Sequence, residues 1–176
     1  AVSPDCPDCL FAASANGVWK SFDKGLNFTF MTNPAGVCDG FAVSDMDTSV
    51  MIYGMLDVYR SFDGGRNFNK VANWFVNGGS LPFNGPQYVH ADLREIRAHN
   101  GEFYIGTDGY LAKSSNSGID WQRLSRGTGI REFYSIGLSQ SEHNSTMAGS
   151  QDNGTSIYRK EGWVEFYVAD GMESLI

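Results

Sequence analysis

Aspartates recur at the starts of short apolar segments and in the tight turns between them. Asp39 and Asp92 each precede such a segment, and Asp57 and Asp108 lie in turns. Two carboxylates held roughly 5–10 Å apart can hydrolyse a glycosidic bond, and a neighbouring histidine such as His90 could tune the pKa of one of them. Carboxylate oxygens are also ligands that Ca²⁺ prefers. Either chemistry requires a fold that brings carboxylates from separate segments together.

A nine-residue pattern that pairs serine with aspartate occurs three times. It reads KSFDKGLNF at 20–28, RSFDGGRNF at 60–68 and, with asparagine for aspartate, KSSNSGIDW at 113–121. A serine near an aspartate could act in catalysis, but the glycine that follows favours a turn, because glycine adopts positive φ without a Cβ clash. The aspartate would then accept hydrogen bonds from backbone N–H groups of its own turn. The residues of this frame are Ser21, Asp23, Gly25 and Phe28; Ser61, Asp63, Gly65 and Phe68; and Ser114, Asn116, Gly118 and Trp121.

Each nonapeptide lies within a longer repeating unit. Upstream of it, two short apolar runs flank a tight turn, as in VMIYGMLDVYRS at 50–61, and further short runs precede and follow. Runs of this length, rich in Val, Ile, Tyr and Phe and bounded by Gly, Asn or Asp, predict strands rather than helices. The predicted units are a partial one at 10–33, complete ones at 38–75, 90–125 and 131–168, and the start of another at 169–176.

Four-stranded units repeated in series are typical of β-propellers. The frame Ser-x-Asp-x-Gly-x-x-aromatic resembles the Asp-box, or BNR, repeat of sialidases, sortilin-like receptors and xyloglucanases. The resemblance implies an all-β propeller of four-stranded antiparallel blades, with each nonapeptide in the hairpin between a blade's third and fourth strands. It also implies that Phe28, Phe68 and Trp121 fill gaps between neighbouring blades. Because propellers close with roughly four to eight blades, we expect an incomplete slice whose partners include the remaining blades of a longer chain.

In such a propeller the nonapeptide hairpins lie on one face, and the first-strand starts and the turns between second and third strands lie on the opposite face. An acidic ring at the mouth of that opposite face is the predicted ligand site, although Asp and Asn also occur in turns for structural reasons alone. The insertion NWFVNGGSLPFNGPQY at 73–88 is expected over the same face, where its aromatics suit sugar rings. The candidate ligand-binding residues are Asp39, Trp74, His90, Asp92, Asp108, Arg131, Asp152 and Asp170.

Three functions are open for this face. A sialidase requires an arginine trio, which Arg131 and Arg94 alone do not supply, so that activity is disfavoured. A xyloglucanase-like hydrolase could draw its two carboxylates from Asp39, Asp92 and Asp170. The stretches YVHADLREI and GSQDNGT look similar to secreted multi-blade proteins of Bacteroidetes, often exported by the type IX route. That resemblance favours a binding or surface-scaffold module for glycan or protein ligands, with a glycoside hydrolase as the alternative.

Composition limits the partners and the compartment. The net charge of −7 argues against nucleic acid, which requires a basic face, and the sequence has no apolar run of about 18 residues that would predict a membrane span. Cys6 and Cys9 have metal or redox spacing, but without a second Cys/His pair one local or loop-closing disulfide is favoured, and one of the three cysteines stays unpaired. We predict no cofactor, with Ca²⁺ at QDNG or TDG as an alternative, and a secreted or cell-surface location.

Overall fold

The protein is an all-β chain in this computed structural model, which describes residues 1–34, 38–75, 85–124, 127, 132–151, 154–167, 170–174 and 176. Within these residues no helix is long and apolar enough to cross a membrane. The strands are β1 (Leu10–Ser14), β2 (Gly17–Ser21), β3 (Thr29–Thr32), β4 (Gly40–Val43), β5 (Met51–Gly54), β6 (Val58–Ser61), β7 (Asn69–Ala72), β8 (Leu93–His99), β9 (Glu102–Thr107), β10 (Leu111–Ser114), β11 (Gln122–Arg123), β12 (Phe133–Leu138), β13 (Thr146–Ser150), β14 (Gly154–Arg159) and β15 (Gly162–Tyr167).

The strands form four antiparallel sheets in which neighbours in sequence are neighbours in space. Sheet 1 contains β1–β3, sheet 2 contains β4–β7, sheet 3 contains β8–β11 and sheet 4 contains β12–β15. Each sheet is an up-and-down meander, and sheets 2, 3 and 4 have four strands. The predicted fold class is therefore confirmed: the chain is all-β and is built of antiparallel sheets with the strand order of β-propeller blades.

The chain forms two compact units, Ala1–Leu124 with sheets 1–3 and Ser125–Ile176 with sheet 4. In the first unit, the central strand β5 is buried on both of its faces. Met51 belongs to an apolar cluster with Cys9, Phe11 and Val43 from sheets 1 and 2, whereas the next residue, Ile52, belongs to the larger cluster of sheets 2 and 3. Successive side chains of a strand point to opposite faces, so the uninterrupted apolar run of β5 fits a strand between two sheets.

The nonapeptide turns, residues 20–28, 60–68 and 113–121, connect the last two strands of sheets 1, 2 and 3. In the second turn, the Ser61 hydroxyl donates to Asp63 Oδ1 at 2.8 Å, and Gly65 N–H donates to Ser61 Oγ at 2.9 Å. Asp63 Oδ1 also accepts from the backbone N–H groups of Arg66 and Asn67, both at 2.9 Å, and its Oδ2 accepts from Asn67 Nδ2 at 2.7 Å. The serine and aspartate are thus occupied by their own turn.

The first and third nonapeptide turns have the same bonding frame. Asp23 takes the place of Asp63 and Asn27 that of Asn67. In the third turn the two residue types are exchanged: Asn116 Oδ1 accepts from Asp120 N–H, and Asn116 Nδ2 donates to Asp120 Oδ2, both at 2.9 Å. The glycines have the positive φ that the turn requires, +88° at Gly25, +89° at Gly65 and +80° at Gly118.

The aromatic residues that close the nonapeptides differ in burial. Trp121 is 5% exposed and lies in the core cluster of sheets 2 and 3. Phe68 packs edge-on against the buried Tyr53, with ring centroids 4.8 Å apart. Phe28, by contrast, is 47% exposed. The expectation that all three aromatics fill gaps is wrong for Phe28, because the described chain has no sheet before sheet 1 on which it could pack.

Two further aspartates link successive sheets at the end that carries the nonapeptide turns. Asp5 Oδ2 accepts from the backbone N–H of Thr48 in the β4–β5 loop at 2.9 Å. One sheet further along, Asp45 accepts from the N–H groups of Asn100 and Gly101 in the β8–β9 turn, at 2.6 and 2.9 Å. These charge-assisted bonds fix the turns of one sheet to the preceding part of the chain.

Candidate functional site

At the end of the strands opposite the nonapeptide turns, a backbone hydrogen bond joins sheets 2 and 3. Within sheet 2, Asp39 N–H donates to the carbonyl of Gly54 at the end of β5 at 3.2 Å. Leu93 N–H, at the start of β8, donates to the carbonyl of Met55 in the β5–β6 turn at 2.8 Å. The segments that carry Asp39, Asp57 and Asp92 therefore meet at this end of the first unit.

Arg94 forms a bidentate ion pair with Asp108 at this end. Its Nε donates to Oδ1 at 2.7 Å, and its Nη2 donates to Oδ2 at 2.8 Å. The side chain of Asp108 is 10% exposed and that of Arg94 is 60% exposed. The hydrogen bonds from Arg94 to Asp108 raise the pKa of the guanidinium, and the nearby carboxylates of Asp92 and Asp39 raise it further. We call Asp39, Asp92, Arg94 and Asp108 the Arg94 cluster.

A β-bulge places the guanidinium. The register between β8 and β9 shifts between Leu93 and Glu95, so that Arg94 is the extra residue of the bulge. Asp92, just before the strand, has φ of +57°, a left-handed conformation that aspartate tolerates better than most residues. Bulges commonly redirect a side chain beside a functional site. Here the bulge directs Arg94 to Asp108 on the β9–β10 turn.

His90 belongs to a neighbouring aromatic group. Its backbone N–H donates to Tyr110 Oη at 3.1 Å, and the Tyr110 hydroxyl donates to the carbonyl of Tyr88 at 3.3 Å. The imidazole packs edge-on against the Tyr110 ring, with centroids 5.9 Å apart, and a Cβ on Gly109 would lie 2.4 Å from its Cδ2. Gly109 is therefore required for the imidazole of His90 to fit. Burial raises the pKa of Tyr110, the other member of this group, to about 12.

Trp74 is held at the same end by Asp57. Its backbone N–H donates to Asp57 Oδ1 at 3.3 Å, and Lys70 Nζ pairs with Asp57 Oδ2 at 3.2 Å. Trp74 is 40% exposed and Phe75 is 63% exposed, with ring centroids 5.5 Å apart. Of the other aromatics in the predicted insertion, Tyr88 is buried at 9% exposure, and Phe83 lies outside the described residues. Trp74 and Phe75 thus form an open aromatic surface.

Three further candidates lie outside the described residues or outside the first unit. Arg131 and Asp152 lie outside the described residues, and Asp170 is exposed in the second unit. Nowhere in the part of the chain that the structure describes do three His, Cys, Asp or Glu side chains come together as metal ligands. The predicted acidic ring is, in the first unit, a set of three carboxylates around an arginine. Sequence reasoning noticed Arg94 but left it out of the candidate set, because a bulge is not visible in a strand pattern.

The cluster presents polar groups in a fixed arrangement. Both oxygens of Asp108 accept hydrogen bonds from Arg94, and a bidentate pair of this kind fixes the geometry of both groups. Three carboxylates and one guanidinium leave a net negative, hydrogen-bonding surface, and the same end of the strands also carries the two exposed aromatic rings of Trp74 and Phe75. This end therefore presents acceptors for hydroxyl or ammonium groups and an apolar face as well.

Comparisons with known proteins give structural likeness without a family. No protein-family model and no curated protein matches the sequence. Among solved structures, a GH74 xyloglucanase from Xanthomonas campestris is similar, with a TM-score of 0.49 at 13% identity over 95% of this chain and 29% of that one. YCF48 bound to D1 peptide has a TM-score of 0.47 at 16% identity, over 92% and 48%. An ancestral GH74 enzyme has a TM-score of 0.42 at 15% identity, over 94% and 30%. The chain spans less than half the length of each of these structures.

Proposed function

We propose that the chain is part of a secreted Asp-box (BNR) β-propeller that acts as a glycan-binding module, with its ligand at the Arg94 cluster. The observation that carries the proposal is the bidentate pair of Arg94 and Asp108, with Asp39 and Asp92 close enough to act on the same guanidinium. Arginine that is held in place and still exposed is among the residues that contribute most to binding. The cluster is thus a preorganised, solvent-facing set of polar groups.

The exposed aromatic residues at the same end of the strands support a sugar rather than a metal ion as the ligand. Trp74 and Phe75 remain exposed although both are large and apolar, and the bond from Trp74 N–H to Asp57 fixes the start of this segment. A sugar ring has an apolar face that stacks on an aromatic ring and a rim of hydroxyls that bond to carboxylates and guanidinium. A metal ion such as Ca²⁺ would be bound by carboxylate oxygens and would not require an aromatic surface.

Two other features support the setting that we propose. Cys6 and Cys9 form a local disulfide, and disulfides persist mainly in secreted and extracellular proteins. The two edge strands of sheet 4 each expose apolar side chains, Ile136 and Leu138 on β12 and Val164 and Phe166 on β15, and exposed apolar surfaces often mark interfaces. We assign these two edges to contacts with further blades of a longer polypeptide.

The proposal is tested by screening the purified protein on an array of neutral and acidic oligosaccharides that includes xyloglucan fragments. The affinity for the best ligand is then measured by calorimetry for Arg94→Gln and Trp74→Ala. We expect each change to weaken binding by about tenfold or more, as at other binding hot spots. Asp63→Ala is the matched control, because it removes a carboxylate at the other end of the same sheets and should leave the affinity unchanged.

Three results would contradict the proposal. One is the absence of any glycan ligand, and another is a glycan whose affinity is the same for the protein and for Arg94→Gln. The third is release of reducing ends from the bound oligosaccharide by the protein, with loss of that activity in Asp39→Asn or Asp92→Asn. That result would establish a glycoside hydrolase with carboxylates at this end.

A further inference from the structure

The second unit contains a cavity of about 850 Å³ that is separate from the Arg94 cluster. It lies between the loop that joins β12 to β13 and the turn that joins β14 to β15. The charged and polar residues that line it include Glu142, His143, Ser145, Arg159, Lys160 and Glu161. A volume of this size falls within the range of cavities that hold small ligands, roughly 300–1,000 Å³.

Ser145 supplies a buried hydroxyl without a partner in the wall of this cavity. The residue is 6% exposed, and its Oγ has no hydrogen-bond partner among the described residues. The backbone around it is fixed, because Ser139 N–H donates to the Ser145 carbonyl at 3.1 Å and Glu142 N–H donates to Ser139 Oγ at 3.0 Å. A buried polar group without a partner is costly, and a ligand in the cavity could supply the missing bond.

Side chains of both charges line the same cavity. Arg159 and Lys160 come from one side of the turn, and Glu142 and Glu161 supply two carboxylates. Among the ion pairs of the described residues, none involves these four side chains. A ligand with a single charge would satisfy either the cations or the carboxylates. A ligand with both charges would satisfy the two sets together.

We propose that this cavity binds a zwitterionic ligand of short-peptide size, which carries a free ammonium and a free carboxylate group. Arg159 and Lys160 bind the carboxylate, Glu142 and Glu161 bind the ammonium, and Ser145 Oγ bonds to a polar group of the ligand. Among the described residues that line the cavity none is aromatic, so these residues offer no stacking surface of the kind that a neutral sugar requires. This site is independent of the function proposed for the Arg94 cluster.

The test uses triglycine as the probe and follows binding by calorimetry and by amide shifts in NMR spectra. Two capped forms separate the contributions of the charges: N-acetyl-triglycine lacks the ammonium, and triglycinamide lacks the carboxylate. We expect triglycine to bind and each capped form to bind about tenfold more weakly or worse, since hydrogen bonds to charged groups are the strong ones. Equal affinity for all three forms, or no binding of triglycine, would overturn the proposal.

Variants locate the site. Glu142→Gln and Arg159→Gln change exposed side chains and should each weaken triglycine binding, whereas Glu173→Gln, an exposed glutamate of the same unit that does not line the cavity, should leave it unchanged. Ser145→Ala separates a ligand contact from a mere packing defect. Weaker binding with unchanged folding supports the contact. Raised thermal stability with unchanged affinity would show that the hydroxyl has no ligand role and would overturn the proposal.

Discussion

The two ends of the sheets in the first unit use aspartate in opposite ways. At the nonapeptide end, Asp63 is bonded to the backbone and side chains of its own turn, and Asp45 is bonded to two N–H groups of the next sheet. At the other end, Asp108 depends on a cation from the bulge at the start of β8, and Asp39 and Asp92 lie near the same cation. A carboxylate satisfied within its own turn stabilises the fold, whereas carboxylates that share one exposed cation remain able to bind something else.

The largest expected effect concerns the backbone of the nonapeptide turns. In Gly118→Ala, the new Cβ would lie 2.5 Å from Ile52 Cδ1, at a residue with φ of +80°. We expect the free energy of unfolding to fall by about 2–4 kcal/mol, since a positive-φ penalty adds to overpacking. Urea denaturation measures this loss of stability. A cost below about 1 kcal/mol would mean that the third nonapeptide turn is not held rigidly in the conformation described.

Gly64→Ser in the second turn is a control for that change. Gly64 immediately precedes Gly65, which is the equivalent of Gly118. Gly64 also has positive φ, but no atom lies within 4 Å of the place where its Cβ would stand. The third turn has Ser117 at the equivalent position, with φ of +59°. Gly64→Ser should therefore lower the free energy of unfolding by no more than about 1 kcal/mol. Equal costs for the two changes would show that packing against Ile52 contributes nothing.

The loss of stability in acid tests the nonapeptide end, because the aspartates of the first two turns have depressed pKa values. Hydrogen bonds from Asn27 hold the pKa of Asp23 at about 2. Burial raises the pKa of Asp63, but the bonds from Asn67, Ser61 and Arg66 outweigh it and also leave the pKa at about 2. The resulting stabilisation is complete above the unfolded pKa, near about 4, and is lost as the pH falls from there through 2.

The measurement is the urea midpoint between pH 6 and pH 2. Asp63→Asn should make its decline on acidification shallower, because Asn116 shows that an amide fits this position and an amide does not titrate. If the urea midpoints of Asp63→Asn and of the unchanged protein fall equally with pH, Asp63 does not contribute to the acid sensitivity.

The smallest expected effect reports on the other end. Burial and, to a smaller extent, the adjacent carboxylate of Asp39 together raise the pKa of the Cys38 thiol to about 11. At pH 8 we expect alkylation by iodoacetamide to be about tenfold or more slower than for an exposed cysteine, because the thiolate is the reactive form. Asp39→Asn should accelerate the reaction and Asp63→Asn should not. Mass spectrometry measures both rates. Identical rates for the two variants would show that the charge of Asp39 does not affect the reactivity of the Cys38 thiol.

The sequence predicts the local features of the fold and misses those that depend on long-range contacts. The strands and the nonapeptide turns are local, and their apolar runs and Ser-Asp-Gly spacing were enough to predict four-stranded antiparallel sheets. The place of Arg94 depends on a bulge, on the turn of Asp108 fourteen residues away, and on the packing of two sheets. The exposure of Phe28 was also missed, because burial depends on which sheet lies opposite and not on the repeat itself. Long-range contacts of this kind leave little trace in a strand pattern.

The exchange of residue types in the third nonapeptide turn has an evolutionary consequence. Asp63 with Asn67 and Asn116 with Asp120 are two solutions of one bonding pattern, each with one carboxylate and one amide. A single substitution from either solution gives two carboxylates in contact, which repel, or two amides, which lose the charge-assisted bond. Passage between the solutions therefore requires two coupled changes. These positions should covary among related repeats, so that the identity of one residue predicts that of the residue four places away.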